Sequence, residues 1–257
     1  MTLEISGLCS GYGRKQILKD VSIAKVSGGE FVGLIGPNAS GKSTLFKSIA
    51  GAVTPTDGVI TLDGRNLRRA SRGQRSKVVA YMPQSYGCNA VLTVFECVLL
   101  ALKQMTGWRV KQDDLQRVSS VLYALGLSHL SDRGISKLSG GQAQMVSVAQ
   151  TLVREPRLVL LDEPTSALDL HHQLSILSTI RSFMRNKNMI VIAALHDLNL
   201  AAQFCDRLVL IKEGEVLADG RPEQVLELKE IDETYRVMTN LEKTSRDTLY
   251  VDARLSA

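Results

Sequence analysis

One nonapeptide decides the fold of this chain: Gly36-Pro37-Asn38-Ala39-Ser40-Gly41-Lys42-Ser43-Thr44. The apolar run Phe31–Ile35 comes directly before it and predicts a short buried strand. Apolar residues at helical spacing come after it, and Gly51 predicts the end of that helix. A strand, a glycine-rich turn and a helix in this order are the context that a phosphate-binding loop requires.

The residue types of this loop suit a nucleoside triphosphate. Gly36 and Gly41 permit a tight turn that points backbone N–H groups at an anion, and the helix N-terminus adds partial positive charge. Lys42 is spaced to reach the β and γ phosphates, and the Ser43 hydroxyl to bind Mg²⁺. A plain glycine-rich turn is the alternative. All four fixed positions of the motif match, which favours the phosphate loop.

The composition limits the possible classes of protein. A chain of 257 residues can hold one large α/β domain with an inserted subdomain. The net charge is only +5, and the local basic cluster at residues 65–77 is typical of a solvated face, with an anionic surface as the secondary interpretation. Widely spaced cysteines without a CxxC pair predict reduced thiols and no zinc site: Cys9, Cys88, Cys97 and Cys205.

Targeting and membrane signals are not evident in the sequence. The start, Met1-Thr2-Leu3-Glu4, has neither a basic region nor an apolar core of the signal-peptide type. The longest apolar run, at residues 94–102, is shorter than a membrane span and contains Glu96. We therefore expect a chain that is soluble by itself and lies in the cytosol.

A second apolar run, residues 158–161, predicts a central parallel strand that ends in Asp162 and Glu163. Ligands of open α/β sheets bind beyond the carboxyl ends of such strands. Successive strand residues point to opposite sides, so the two carboxylates can have different roles. We expect Asp162 to hold Mg²⁺ through water and Glu163 to polarise the water that attacks the γ-phosphate. A solvated turn is the alternative, which the four preceding apolar residues disfavour.

Two further polar residues follow predicted strands. Gln84 comes soon after the strand at residues 78–81 and could turn toward Mg²⁺ and the attacking water; alone, it would be a surface glutamine. His196 follows the apolar run at residues 189–195 and could bind the γ-phosphate and sense its loss. A lone histidine is more often structural, but this one is predicted at the same sheet edge as the two carboxylates.

Two motifs keep both a functional and an ordinary interpretation. Tyr12, between two glycines, could stack on an adenine, but its spacing alone favours a half-buried tyrosine at a strand end. The Leu138-Ser139-Gly140-Gly141-Gln142 segment opens a helix and offers a second anion site. Because the phosphate loop already supplies one such site, the second suggests that another copy grips the γ-phosphate. A plain N-cap turn is the alternative.

The distribution of strand and helix signals predicts four segments. Residues 1–85 form the first part of a core with the phosphate loop, and residues 86–137, from Tyr86 to Lys137, form a helical insert that opens with a Thr93-x-x-Glu96 capping box. Residues 138–220 complete the core and end in a hairpin at 208–218. Residues 221–257 form a polar, partly helical tail.

These ordered motifs resemble the ATP-binding-cassette ATPases over essentially the whole chain. The series comprises the aromatic residue Tyr12, Walker A at 36–44, the Q-loop at Gln84, the signature at 138–142, Walker B at 158–163, the D-loop at 166–169 and the H-loop at His196. The resemblance implies a P-loop NTPase of the α/β class. Its core sheet would be mostly parallel, with an antiparallel β subdomain and an inserted α-helical subdomain.

The resemblance also implies roles for individual residues, with ATP and Mg²⁺ as cofactors. It favours Tyr12 as an adenine platform and the signature as a site that binds across a dimer. The implied catalytic residues are Glu163, His196, Gln84 and Lys42, and the metal ligands are Ser43, Gln84 and Asp162. The implied nucleotide-binding residues are Tyr12, Gly36, Asn38, Ser40, Gly41, Lys42, Ser43, Thr44, Ser139, Gly140, Gly141, Gln142 and Asp169.

A narrower resemblance is to the ATPase subunits of importers for iron-siderophore complexes, haem and cobalamin. It is carried by residues 92–96, 168–174, 219–222 and 235–237. It implies a homodimer at the cytoplasmic face of the cell membrane, two transmembrane permease subunits and, indirectly, a periplasmic or surface substrate-binding protein. No nucleic acid is expected.

Other functions remain open at this stage. Amino-acid and phosphonate importers share parts of these segments, and exporters share the cassette. A soluble cassette that clamps nucleic acid or ribosomes is a further rival, but such proteins usually carry tandem cassettes or coiled-coil insertions. The chain departs from the family pattern at Ala39, where glycine is common, and at Ala143 and Gln150, where arginine is frequent.

Overall fold

The computed structural model describes residues 1–84, 91–245 and 248–255, without the side chains of residues 105 and 106. A six-stranded sheet, with strand order β10-β9-β3-β8-β7-β6, forms its centre. All neighbours in this sheet are parallel except the edge pair of β9 and β10. The strands are β3 (Phe31–Ile35), β6 (Val79–Met82), β7 (Leu158–Asp162), β8 (Ile190–Ala194), β9 (Arg207–Lys212) and β10 (Glu215–Gly220).

The three central strands, β3, β7 and β8, are buried along their whole length. Both faces of the sheet are covered, so continuous apolar runs suit these strands better than alternating ones. The predicted strands at residues 31–35 and 158–161 are therefore found almost as expected, with β7 extending by one residue to include Asp162. This extension carries a carboxylate into the buried part of the sheet.

A second, antiparallel sheet has the order β2-β1-β4-β5. Its core residues, such as Leu3 and Ile60, share one apolar cluster with Leu34 of β3 and with Leu45 and Phe46 of the helix α1. The mostly parallel core and the antiparallel sheet confirm the predicted fold class. The strands are β1 (Thr2–Tyr12), β2 (Lys15–Ser27), β4 (Asp57–Leu62) and β5 (Arg65–Asn66).

Helices cover the other face of the central sheet and build the insert. Thr93 and Glu96 form the predicted capping box, with the Thr93 hydroxyl accepting the Glu96 N–H at 3.2 Å. The second helix of the insert ends at Ala124, and Gly126 follows it with a φ of 69°. The helices are α1 (Lys42–Ala50), α2 (Arg72–Ser76), α3 (Val94–Thr106), α4 (Gln112–Ala124), α5 (Gly140–Leu152), α6 (Leu170–Lys187), α7 (Leu198–Phe204), α8 (Pro222–Leu226) and α9 (Lys229–Tyr235).

The ends of the predicted segments fit the structure unevenly. Tyr86, the expected start of the insert, and Cys88 lie outside the described residues. The tail contains the expected helices α8 and α9, but it also contains an antiparallel hairpin that the sequence analysis did not predict. Its strands are β11 (Val237–Lys243) and β12 (Leu249–Leu255). In the described parts of the chain, every helix falls short of the length and apolarity needed to cross a membrane.

Candidate functional site

Most of the predicted site residues surround one cleft of about 480 Å³ at the carboxyl edge of the central sheet. Its floor is the loop between β3 and α1, and Gln84, Glu163 and His196 approach from the neighbouring strands β6, β7 and β8. The ring of Tyr12, 48% exposed, lies at its rim. The lining residues are Tyr12, Ile17, Asn38, Ala39, Ser40, Gly41, Lys42, Ser43, Thr44, Gln84, Glu163 and His196.

The loop backbone is tightly constrained at its start. Gly36 has a φ of 143°, and a Cβ atom there would lie 2.0 Å from the carbonyl oxygen of Ile211. Only glycine fits this position without moving β9. Ala39 has a φ of 63°, in the left-handed region that disfavours side chains, so the alanine that replaces a common glycine holds a strained conformation. The loop tolerates this alanine at a conformational cost.

Lys42 is folded across the loop. Its ammonium donates to the carbonyl oxygens of Gly36 at 2.7 Å and Pro37 at 2.8 Å. Burial lowers the pKa of Lys42, while the charges of Glu163 and Asp162 act in the opposite direction. Among the described residues, the buried Ser40 Oγ has no hydrogen-bond partner. An ammonium group, an unpartnered hydroxyl and the amide-rich N-terminus of α1 together suit a phosphate group.

Asp162 is buried, with 2% of its surface exposed, at the end of β7. Burial raises the pKa of Asp162, and hydrogen bonds from the Ser43 and Tyr81 hydroxyls act in the opposite direction. The Tyr81 hydroxyl donates to Asp162 Oδ2 at 3.2 Å. A buried carboxylate beside a serine hydroxyl is an oxygen donor set of the kind that Mg²⁺ prefers.

Glu163 occupies a different environment from its neighbour. Its φ is 55°, so the chain turns sharply directly after β7. One carboxylate oxygen lies 2.5 Å from Nε2 of His196, and the other accepts a hydrogen bond from the Gln84 amide at 2.7 Å. The sequence analysis predicted roles for all three of these side chains, and the structure brings them into direct contact.

Gln144 holds this turn, and the sequence analysis did not single it out. Its amide nitrogen donates to the backbone oxygen of Glu163 at 2.6 Å, and its amide oxygen accepts the N–H of Ala167 at 3.0 Å. It lies on α5 only two residues after the signature. No local pattern in the sequence marks Gln144, because its partners at residues 163 and 167 lie about twenty positions away along the chain.

The signature residues line a separate cleft of about 540 Å³. Ser139 caps α5, because its hydroxyl accepts the N–H of Gln142 at 3.3 Å while the Gln142 side chain accepts the N–H of Ser139 at 3.1 Å. Asp169 caps α6 by accepting the N–H of His172 at 2.9 Å, and this bond holds its pKa below the usual range. Gly140, Gly141 and Asp169 lie in this cleft and not in the first one.

The chain matches a family model and is similar to many known proteins. A family model described as ABC transporter matches residues 18–166. The hemin import ATP-binding protein of Gloeobacter violaceus is 37% identical, over 87% of this chain and 83% of that protein. The ferric enterobactin transport ATP-binding protein of Escherichia coli is 32% identical, over 89% of this chain and 84% of that protein. The cobalamin import ATP-binding protein of Halobacterium salinarum is 35% identical, over 88% of this chain and 56% of that protein.

Solved structures agree with these relatives. The ATP-binding subunit of an ABC transporter is 28% identical, with a TM-score of 0.76 over 91% of this chain and 93% of that one. A dimeric ATP-binding cassette in a post-hydrolysis state, bound to ADP and phosphate, is 26% identical. The TM-score is 0.77, over 86% of this chain and 98% of that one.

Proposed function

The chain belongs to the ABC transporter family, and from that premise we propose that it is the ATP-hydrolysing subunit of an importer for a metal chelate. The observation that carries the proposal is the contact of Glu163 with Gln84 and His196 beside the phosphate loop. These side chains suit the positioning of a water molecule and the stabilisation of charge, which supply most of the catalysis in phosphoryl transfer.

We assign the steps of hydrolysis to residues of the first cleft. Lys42 leaves the carbonyl oxygens of Gly36 and Pro37 and binds the β and γ phosphates, which offer it stronger, charge-assisted hydrogen bonds. Glu163 orients and polarises the attacking water. His196 binds the γ-phosphate, and its present contact with Glu163 makes it a sensor of phosphate loss.

The nucleotide contacts and the metal ligands come from the same cleft. The loop residues Asn38, Ser40, Gly41, Ser43 and Thr44 line it and surround the phosphates, and the Tyr12 ring at the rim stacks on the adenine. The Ser43 hydroxyl, Asp162 through water and Gln84 would hold Mg²⁺. The bound ion would neutralise charge on the phosphates.

Two copies of the chain complete two sites. The signature cleft of one copy, with Ser139, Gly140, Gly141, Gln142 and Asp169, covers the γ-phosphate held by the other copy. The post-hydrolysis relative with ADP and phosphate is itself dimeric, which supports this arrangement. ATP-driven closure then brings the copies together, and hydrolysis releases them.

Two transmembrane permease subunits receive this motion at the cytoplasmic face of the membrane. The surface that suits them is a groove of about 240 Å³ between β6, α3 and α5, lined by Met82, Leu100, Ala101 and Gln150. It lies beside Gln84 and so connects the catalytic cleft to the helical insert. A substrate-binding protein outside the cell delivers the cargo to the permease.

The cargo class rests on the relatives. Their names give hemin, ferric enterobactin and cobalamin as cargo, and all three molecules are metal chelates. The relatives match over more than four fifths of this chain, which includes the helical insert and the segment at residues 168–174. A polar solute such as an amino acid or a phosphonate is the rival cargo.

ATP hydrolysis by the purified chain tests the roles of the first cleft. We expect Glu163→Gln to bind ATP with wild-type affinity and to hydrolyse it at least about a hundredfold more slowly, because the water loses its polarising carboxylate. Lys42→Ala should instead weaken ATP binding itself, because it loses a charge-assisted contact. Glu4→Gln, which alters an exposed carboxylate on β1, is the matched control. Hydrolysis by Glu163→Gln within a few-fold of wild type would contradict the assigned role.

Uptake by a strain that lacks the gene tests the cargo. We expect loss of uptake for one of labelled ferric siderophore, haem or cobalamin, with amino-acid and phosphonate uptake unchanged. The wild-type gene should restore uptake, and the Glu163→Gln form should not. Loss of amino-acid or phosphonate uptake alone would reject the metal-chelate class.

A further inference from the structure

The tail of the chain contacts the phosphate loop through one hydroxyl group. Tyr235, the last residue of α9, accepts the backbone N–H of Gly36 at 2.8 Å. Gly36 is buried and lies just beyond the end of β3, where its N–H bonds this hydroxyl and not a neighbouring strand. A buried N–H without an acceptor is costly, and the tyrosine hydroxyl removes that cost. Burial raises the pKa of Tyr235 to about 12, which keeps the hydroxyl neutral near pH 7.

The same tail is attached to the helix that follows His196. Asn199 of α7 donates its side-chain amide to the backbone oxygen of Val251 at 3.3 Å and accepts the N–H of Val251 at 2.7 Å. Val251 is the buried residue of β12. Helix α7 begins at the Asp197 cap, directly after His196. This second attachment therefore reaches the other end of the catalytic cleft.

Contacts within the tail link the two attachments. The Asp232 carboxylate of α9 accepts both the N–H and the hydroxyl of Thr239, at 2.8 Å and 2.6 Å, and so ties α9 to β11. Arg236 turns the chain between them in a left-handed conformation, with a φ of 56°. The paired strands β11 and β12 then carry the connection to Val251.

We propose that residues 229–245 and 248–255 form a strap that couples the first residue of the phosphate loop to the segment after His196, with Tyr235 as a positioning residue for ATP binding. This inference rests on the proposed function of the phosphate loop. In the present structure the carbonyl oxygen of Gly36 accepts the Lys42 ammonium while its N–H is held by Tyr235. Once Lys42 turns to the phosphates, the hydroxyl of Tyr235 is the side-chain contact that keeps the Gly36 peptide in place.

The steady-state kinetics of ATP hydrolysis by the full chain test the strap. Tyr235→Phe keeps the ring and removes only the hydroxyl. We expect the KM for ATP to rise about five- to tenfold, as expected for one lost buried hydrogen bond, with kcat within about twofold of wild type. Hydrogen exchange at residues 34–38 should become faster. Tyr250→Phe, at an exposed tyrosine in β12 of the same tail, is the matched control and should change neither quantity.

The second anchor gives an independent variant. Asn199→Ala should also raise KM, and the double variant should raise it by less than the product of the single effects, because both anchors act through one unit. A fall in Tm with unchanged KM in both single variants would make the tail merely structural and overturn the proposal. A wild-type chain that neither binds nor hydrolyses ATP would overturn the proposed function as well, so the two failures are distinguishable.

Discussion

At the scale of single residues, Asp162 and Glu163 are neighbours in sequence with opposite surroundings. Asp162 is buried, and its pKa is raised because burial penalises the charged form. Glu163 faces the cleft, where Gln84 and His196 contact its two oxygens. The buried site gives a fixed ligand for a cation, and the cleft site gives a carboxylate whose partners can change when nucleotide enters. The different roles that we propose for them therefore rest on one turn of the backbone.

Substitution of Asp162 should separate stability from metal binding. A carboxyl group whose folded pKa is raised destabilises the fold while it is ionised, and the penalty disappears as the pH falls through the raised pKa toward the ordinary value of 3.8. In EDTA and without nucleotide, we expect Asp162→Asn to raise Tm at pH 7, by about 2–4 °C for each kcal/mol by which the free energy of unfolding increases. The gain should shrink as the pH approaches 4. The same variant should lose Mg²⁺-dependent ATP binding.

Thermal unfolding followed by circular dichroism at several pH values measures this prediction. Asp132→Asn, at an exposed aspartate, is the control and should leave Tm unchanged. A lower Tm for Asp162→Asn at pH 7 would mean that the hydrogen bonds from Ser43 and Tyr81 outweigh the cost of burial. The same result would contradict the view that this carboxylate waits for a cation.

At the scale of secondary-structure elements, the sequence predicts what one strong pattern determines. Strands β3, β7 and β8 are apolar throughout because both faces of the sheet are covered, and their runs are unmistakable in the sequence. The starts of α3 and α5 are likewise predictable, since each has a Ser or Thr cap with a Glu or Gln three residues later. Local chemistry fixes these elements.

The hairpin of β11 and β12 could not be predicted in the same way. In β12 the apolar residues Leu249, Val251, Ala253 and Leu255 do alternate with other residues, but Val251 is the one fully buried position within residues 237–243 and 249–255, so this alternation is only a weak signal for a buried strand. Asn199 holds the hairpin from a distant part of the chain, 52 positions before Val251. The contact between Tyr235 and Gly36 joins still more distant residues, 199 positions apart in the sequence. Tertiary contacts of this kind leave no trace in local periodicity.

The departures from the family pattern also acquire a physical meaning at this scale. Gln150, at a position where arginine is frequent, donates its amide to the sulfur of Cys97 at 2.9 Å and so joins α5 to α3. A neutral amide therefore takes part in the junction between the signature helix and the insert. Ala39 keeps the loop geometry that glycine would adopt without strain. Neither departure removes a group that contacts Lys42 or Glu163.

At the scale of the whole molecule, the two clefts are separate. The phosphate loop lines one of about 480 Å³, and the signature lines another of about 540 Å³, with no lining residue in common. The signature cleft begins at the amide-rich N-terminus of an α-helix of 13 residues, which suits an anion. Because the phosphates bound by the first cleft lie elsewhere on the same chain, the natural source of an anion is a second copy.

This arrangement predicts a dimer that depends on nucleotide. With ATP and Mg²⁺, the Glu163→Gln form should double its mass in light scattering, because ATP bridges the copies and is not hydrolysed. Addition of Ser139→Ala should raise the dissociation constant of this dimer about tenfold or more, while ATP binding to the single chain is retained. The serine hydroxyl both caps α5 and faces the signature cleft, so its loss affects the bridge and not the first cleft.

Ser71→Ala is the matched control for this experiment, because Ser71 caps α2 with the same box geometry. Its hydroxyl accepts the N–H of Gln74 at 3.3 Å, the same distance as in the Ser139 cap. Both substitutions remove one cap, with a cost to helix stability of about 1 kcal/mol each. If the Ser139 effect were only a loss of helix stability, the two variants would weaken the dimer equally. A dimer that forms without nucleotide, or a strict monomer with ATP at high protein concentration, would contradict the sandwich of two copies.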